Sequence, residues 1–152
     1  MILQKQKWLF FTSLILLFLS IAGCKEQEKV EQVKGTVFEP VQLEGKTIQK
    51  ATVAMVGESM LDVKEPHVTY GQEDVDALKT FVNSIEQAEK VNGFVDVTAP
   101  DYMLTITFTD ETIAKYMLWL GVNGGSLMNE NNTHTIYSLP SRFISDLNKY
   151  VK

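Results

Sequence analysis

The chain holds one cysteine, Cys24, and two histidines, His67 and His134, among scattered serines and carboxylates. A thiolate beside a histidine would make a nucleophile. Two histidines converging with an acid would make a metal site or an acid–base pair. The spacing favours neither. His67 and His134 stand 67 positions apart with no sequence-local ligand cluster around them, and both read as loop or surface residues. Asp62, Asp96 and Asp101 are spread at the density of ordinary solvated acids. Ser59, Ser126 and Ser141 lack the glycine frame of a nucleophile elbow. The run GVNGGS, residues 121–126, has the glycines of a phosphate loop without its Gly-Lys-Ser/Thr ending. It falls between two apolar runs rather than before a helix, so it reads as a turn.

Cys24 has a more specific context. Lys5 and Lys7 precede an uncharged run from Trp8 to Ala22, about 15 residues where roughly 20 are needed to span a bilayer. A basic start, a short apolar core and a close in small residues form the layout of a secretory signal peptide. The run ends Ile21-Ala22-Gly23-Cys24, which resembles a bacterial lipobox. By that resemblance Ile21, Ala22 and Gly23 are the signal-peptidase recognition residues. Residues 1–23 would be removed, and Cys24 would carry a diacylglycerol on its thiol. The covalent lipid is the only non-protein group expected, with no cofactor or metal. The expected address is the extracytoplasmic face of the cell membrane, with the bilayer as the first partner.

The remainder, residues 24–152, is long enough for one domain with a real core. Loss of Lys5 and Lys7 takes the formal net charge from −5 to −7. Such a chain has no basic stripe to neutralise phosphates, so no nucleic-acid partner is expected. Residues 24–46 begin KEQEKVEQVK after the cysteine, a charge-alternating stretch that reads as a flexible linker. The domain is expected from residue 47 to residue 152.

Periodicity then supplies the elements. KATVAMVG, residues 50–57, reads as a strand, and residues 58–70 as a connection with some extended character. Val75, Leu78, Val82 and Ile85 recur at helical spacing after Thr69 and Gln72 at capping-box distance, and Asn92-Gly93 offers a stop. Tyr102, Leu104, Ile106 and Phe108 alternate with Met103 and threonines, the pattern of a strand. A second strand follows in KYMLWLGV, residues 115–122. Further short strands fall near 126–128 and 133–139. Phe143, Ile144, Leu147 and Val151 make a closing helical stripe. The expected fold is α+β: an antiparallel sheet of about four to five strands, with one long and one short helix packed on one face.

In this arrangement Tyr116, Leu118 and Leu120 face one way, Met117 and Trp119 the other. Aromatic residues give large contact area at low ordering cost. Met117 and Trp119, bordered by the turns holding Asn123 and Asn131, therefore form the candidate interaction surface. An aromatic core, a dimer interface or a sheet face covered by the N-terminal segment explains the same pattern.

APDYMLTI (99–106), YMLWL (116–120) and IYSL (136–139) together resemble the domain of small Bacillus-type lipoproteins of the YhfM kind, over roughly residues 47 to 151. The resemblance implies a Gram-positive cell-surface protein and supplies no catalytic residues. The expected function is a non-catalytic lipoprotein that binds an envelope or membrane protein or a peptide. A small-ligand-binding lipoprotein and a cell-envelope hydrolase are the alternatives.

Overall fold

The computed structural model describes residues 39–93 and 96–152. Ile21, Ala22, Gly23 and Cys24 lie outside the described residues, as does most of the stretch expected to be linker. None of the described helices is long and apolar enough to cross a membrane.

A hairpin opens the domain: β1 (Gln42–Leu43) and β2 (Lys46–Val56), turned by Glu44 and Gly45, both at positive φ. Next come β3 (Val63–Gly71), α1 (Val75–Glu86), β4 (Glu89–Lys90), β5 (Tyr102–Phe108) and β6 (Ile113–Leu120). The chain finishes with β7 (Gly125–Asn129), β8 (Ile136–Leu139) and α2 (Ser141–Tyr150). Every strand pairing is antiparallel, in the order β1-β2-β5-β6-β7-β8-β4, with β3 also on β2. The α+β class and the antiparallel sheet stand. The strand count does not: eight strands among the described residues replace the expected four to five.

Each added strand has a physical reason for being hard to read. β1 and β4 are two residues long, too short to show a period. β3 is an edge strand, exposed from Val63 to His67, so the apolar alternation of a half-buried strand is missing. Its Pro66 sits beside a register shift against β2, a position where the missing N–H costs no ladder bond. The domain also starts earlier than residue 47. Val41 and Leu43 are buried in the core, and Ile48 N donates to Val41 O at 2.9 Å.

The helices differ from expectation at their ends. Thr69 lies in β3, and Gln72 Nε2 donates to Ile48 O, so no capping box forms. Asp74 is the N-cap residue, but its Oδ2 accepts from Gly71 N in the turn before the helix. α1 stops at Glu86 rather than at Asn92-Gly93, and at 12 residues it is close to the 10 of α2.

The alternation seen in β5 and β6 separates two faces. On the helix face, Ala51, Val53, Leu104, Ile106 and Leu118 join Leu78, Phe81 and Val82 of α1 and Ile144 and Leu147 of α2 in the main core. On the back face one row crosses five strands: Ala54, Met103, Met117, Met128 and Ile136, each the ladder partner of the next. Val91 and Val97 pack over this row. Methionine suits such a site because its unbranched thioether fills irregular gaps.

At the β5–β6 turn Asp110 accepts from Thr112 and pairs with Lys46 Nζ at 3.0 Å. The hydrogen bonds from Thr112 and Lys46 hold its carboxyl at about 2, below the usual carboxylate range. The contact ties the start of β2 to the far end of β5 and β6.

Candidate functional site

The residues singled out for chemistry do not assemble. His67 Nε2 donates to Val151 O at 2.9 Å, at the C-terminus of α2. His134 stands with Met128 and Ile136, on the back-face row. Asp62 is paired with Lys64 at 2.6 Å. Asp101 holds strand ends together: its Oδ2 accepts from Leu120 N, its N–H donates to Leu118 O, and its C=O accepts from Val56 N. Ser126 pairs across the sheet with Trp119 and Ser138, and Ser141 opens α2. Among the described residues no three His, Cys, Asp or Glu side chains are placed to hold a metal ion.

The expected interaction surface is corrected in a similar way. Met117 and Trp119 do share the back face, but Met117 is 7% exposed. Trp119 is half-buried and its Nε1 donates to Thr98 O at 3.0 Å. Val91, Val97 and Thr98 therefore lie against this face, covering part of the apolar area that the β-meander alone would leave in water. Asn123 and Asn131 are exposed, at opposite ends of β7.

The helix face holds a more promising concavity. Tyr116 on β6 and Asn129 on β7 are ladder partners, as are Leu127 on β7 and Tyr137 on β8. These four side chains form the floor of a cavity of about 200 Å³. Leu43 of β1 and Ile85 of α1 wall it, and Glu44 and Glu86 stand at its rim. The sheet pairing therefore dictates the floor, while the end of α1 and the first hairpin supply the charge.

The phenol of Tyr116 reports the electrostatics. Burial is the main influence, with the nearby Glu44 carboxylate second, and together they push its pKa up to about 12. Hydrogen bonding with Asn129 pulls weakly the other way. Between the ordinary value of 10.0 and about 12 the unfolded chain loses this proton while the folded chain keeps it. Stability contributed by Tyr116 is thus complete below pH 10.0 and is lost as pH rises through about 12. In an alkaline titration followed by near-ultraviolet phenolate absorbance, Tyr116 is expected among the last tyrosines to ionise. Tyr116→Phe should delete that late step and flatten the alkaline loss of stability; an unchanged titration curve would contradict the burial of this phenol.

Glu44 is unusual in its backbone as well. Its φ of 52° lies in the left-handed region, followed by Gly45 at 76°. A two-residue turn of this kind favours Asn-Gly, and a glutamate there costs about 1 kcal/mol. The turn nevertheless presents a carboxylate at the cavity mouth.

A second concavity, about 540 Å³, opens at the start of α1 beside Tyr70 and Tyr150. Glu73, Asp74 and Asp76 line it. Asp76 in the first turn, Asp74 at the N-cap and Glu73 just before it all complement the positive end of the helix dipole, which accounts for their placement without a ligand.

The YhfM protein family matches residues 56–152, from the end of β2 through α2. The chain belongs to the YhfM protein family. Comparison with curated proteins and with solved structures gives no match. In this YhfM-family chain the matched span holds the whole cavity floor and the α1 wall, Tyr116, Leu127, Asn129, Tyr137, Ile85 and Glu86. Leu43 and Glu44 precede it. Sequence reasoning missed this site because its residues come from five elements. The available signals were Tyr116 and Tyr137 on apolar-alternating strands and a glutamate in a Glu-Gly turn.

Proposed function

We propose that this YhfM-family chain is a lipid-anchored extracytoplasmic recognition module that engages an envelope or membrane protein through the helix-face cavity. The observation that carries the recognition reading is the cavity itself: a floor of leucine and tyrosine side chains with one polar group, Asn129, and two carboxylates in the lining, the usual mix of a binding site. The address rests on the Ile21-Ala22-Gly23-Cys24 sequence after a short apolar run. Lipidation would leave the folded domain in water beside the membrane, where a partner is met at high effective concentration.

Crosslinking in intact cells, followed by purification of the lipid-anchored protein from solubilised membranes, tests this reading. A single envelope protein recovered in near-stoichiometric yield is the expected result. Recovery no greater than with an unrelated lipidated domain would remove the recognition role.

A further inference from the structure

We infer that the cavity between Tyr116, Tyr137, Glu44 and Glu86 receives a cationic side chain, arginine or lysine, from a protein partner. This rests on the recognition reading above and names the chemistry of the group recognised.

Size sets the first limit. At about 200 Å³ the cavity is smaller than the roughly 300–1,000 Å³ that enclose a drug-sized ligand, and it matches a single inserted side chain. Charge sets the second. The two rim carboxylates, Glu44 and Glu86, face a cavity with no Lys, Arg or His in its lining. Neither forms an ion pair among the described residues. An anionic occupant would meet both carboxylates unpaired, and a purely apolar one would leave them unused at its edge.

The floor sets the third limit. Leu43, Leu127 and Ile85 give apolar lining for an aliphatic stem, and Tyr116 and Tyr137 give aromatic lining, which favours a cation beside it. Asn129 adds a polar group beside Tyr116. A long side chain with an apolar body and a charged end fits all three regions at once, and arginine is the commonest anchor of this type in protein interfaces. A free amine or guanidinium has no stem to fill the floor and should bind less well.

The test uses the full lipidated chain in detergent, titrated with N-acetyl-arginine methylamide and with its neutral isostere, N-acetyl-citrulline methylamide. Aromatic NMR signals of Tyr116 and Tyr137 report occupancy, assigned with Tyr116→Phe and Tyr137→Phe. Saturable shifts are expected with the arginine probe, with the citrulline probe about tenfold weaker or worse. The double variant Glu44→Gln/Glu86→Gln, whose changes lie at exposed positions, should keep its melting temperature and bind both probes alike. Equal response to the two probes in the native chain, or undiminished preference in the double variant, would overturn the proposal.

The identity of the occupant is read separately, by placing a photocrosslinking residue at Gln42 or Gln87, beside the cavity in sequence. Crosslinks in cells to an Arg- or Lys-bearing segment of another protein are expected. Crosslinks confined to residues 25–38 of the same chain would show that the chain's own lysines fill the site. Loss of lipid labelling with intact arginine preference would sink the address and leave the cavity assignment standing.

Discussion

Replacement of Phe81 by alanine is expected to cost about 3–5 kcal/mol, the range for deleting a fully buried aromatic ring. Phe81 is 1% exposed and lies where three elements meet. Its ring centroid is 5.8 Å from that of Tyr70 on β3 and 6.3 Å from that of Tyr150 at the end of α2. Tyr70 meets Tyr150 edge-on at 5.7 Å and donates to the Tyr150 carbonyl at 2.9 Å. Removing Phe81 leaves a void under both tyrosines, and neither can fall into it without losing this mutual geometry. Domains of this size are stable by only about 5–15 kcal/mol, so the variant should sit near the edge of folding. Chemical denaturation would show a lower midpoint at an unchanged slope. Phe81→Leu keeps most of the apolar volume and should recover roughly half of the loss. A loss below about 1 kcal/mol for the alanine variant would mean that α1 is not anchored through this ring.

The helix-face core was legible in the sequence wherever burial imposed a period. β5 and β6 could be read because one face of each meets the helices, so Leu104, Ile106, Tyr116 and Leu118 alternate with residues of the other face. α1 showed its stripe for the same reason. β3 carried no such mark, because an edge strand exposed along half its length has little to alternate. Helix ends depended on competition that the sequence does not display. Gln72 could have capped α1, yet it satisfies the Ile48 carbonyl instead.

The back face shows how a correct local reading can lead to a wrong surface. Met117 and Trp119 do point away from the helices. How far that face meets water depends on Val91 and Val97, which pack over the row and give no periodic signal of their own. The helix-face cavity was illegible for a related reason. Glu44, Ile85, Tyr116, Leu127 and Tyr137 become neighbours only through strand order and the length of α1. Once that order is known, Tyr116 and Tyr137 stand out, since each is bracketed by core residues and yet carries a hydroxyl.

Exchange of Cys24 for serine should abolish lipid labelling of the chain and leave residues 1–23 attached. The substitution keeps the size of the side chain and removes the thiol that a diacylglycerol would be joined to. A single acyl chain holds a protein only marginally, and a second chain of a dozen methylenes adds on the order of 10 kcal/mol at about 0.8 kcal/mol per CH2. The native protein, once modified, should therefore resist salt and carbonate extraction. Fractionation alone would mislead for the serine variant, because the uncleaved run from Trp8 to Ala22 is apolar enough to stay with membranes. The deciding readouts are incorporation of labelled palmitate, expected to fall to background in Cys24→Ser, and intact mass. The native chain should begin at Cys24 with added lipid mass, and the variant at Met1 with none. Labelling that persists in the variant, or a native N-terminus at any other residue, would refute the anchor.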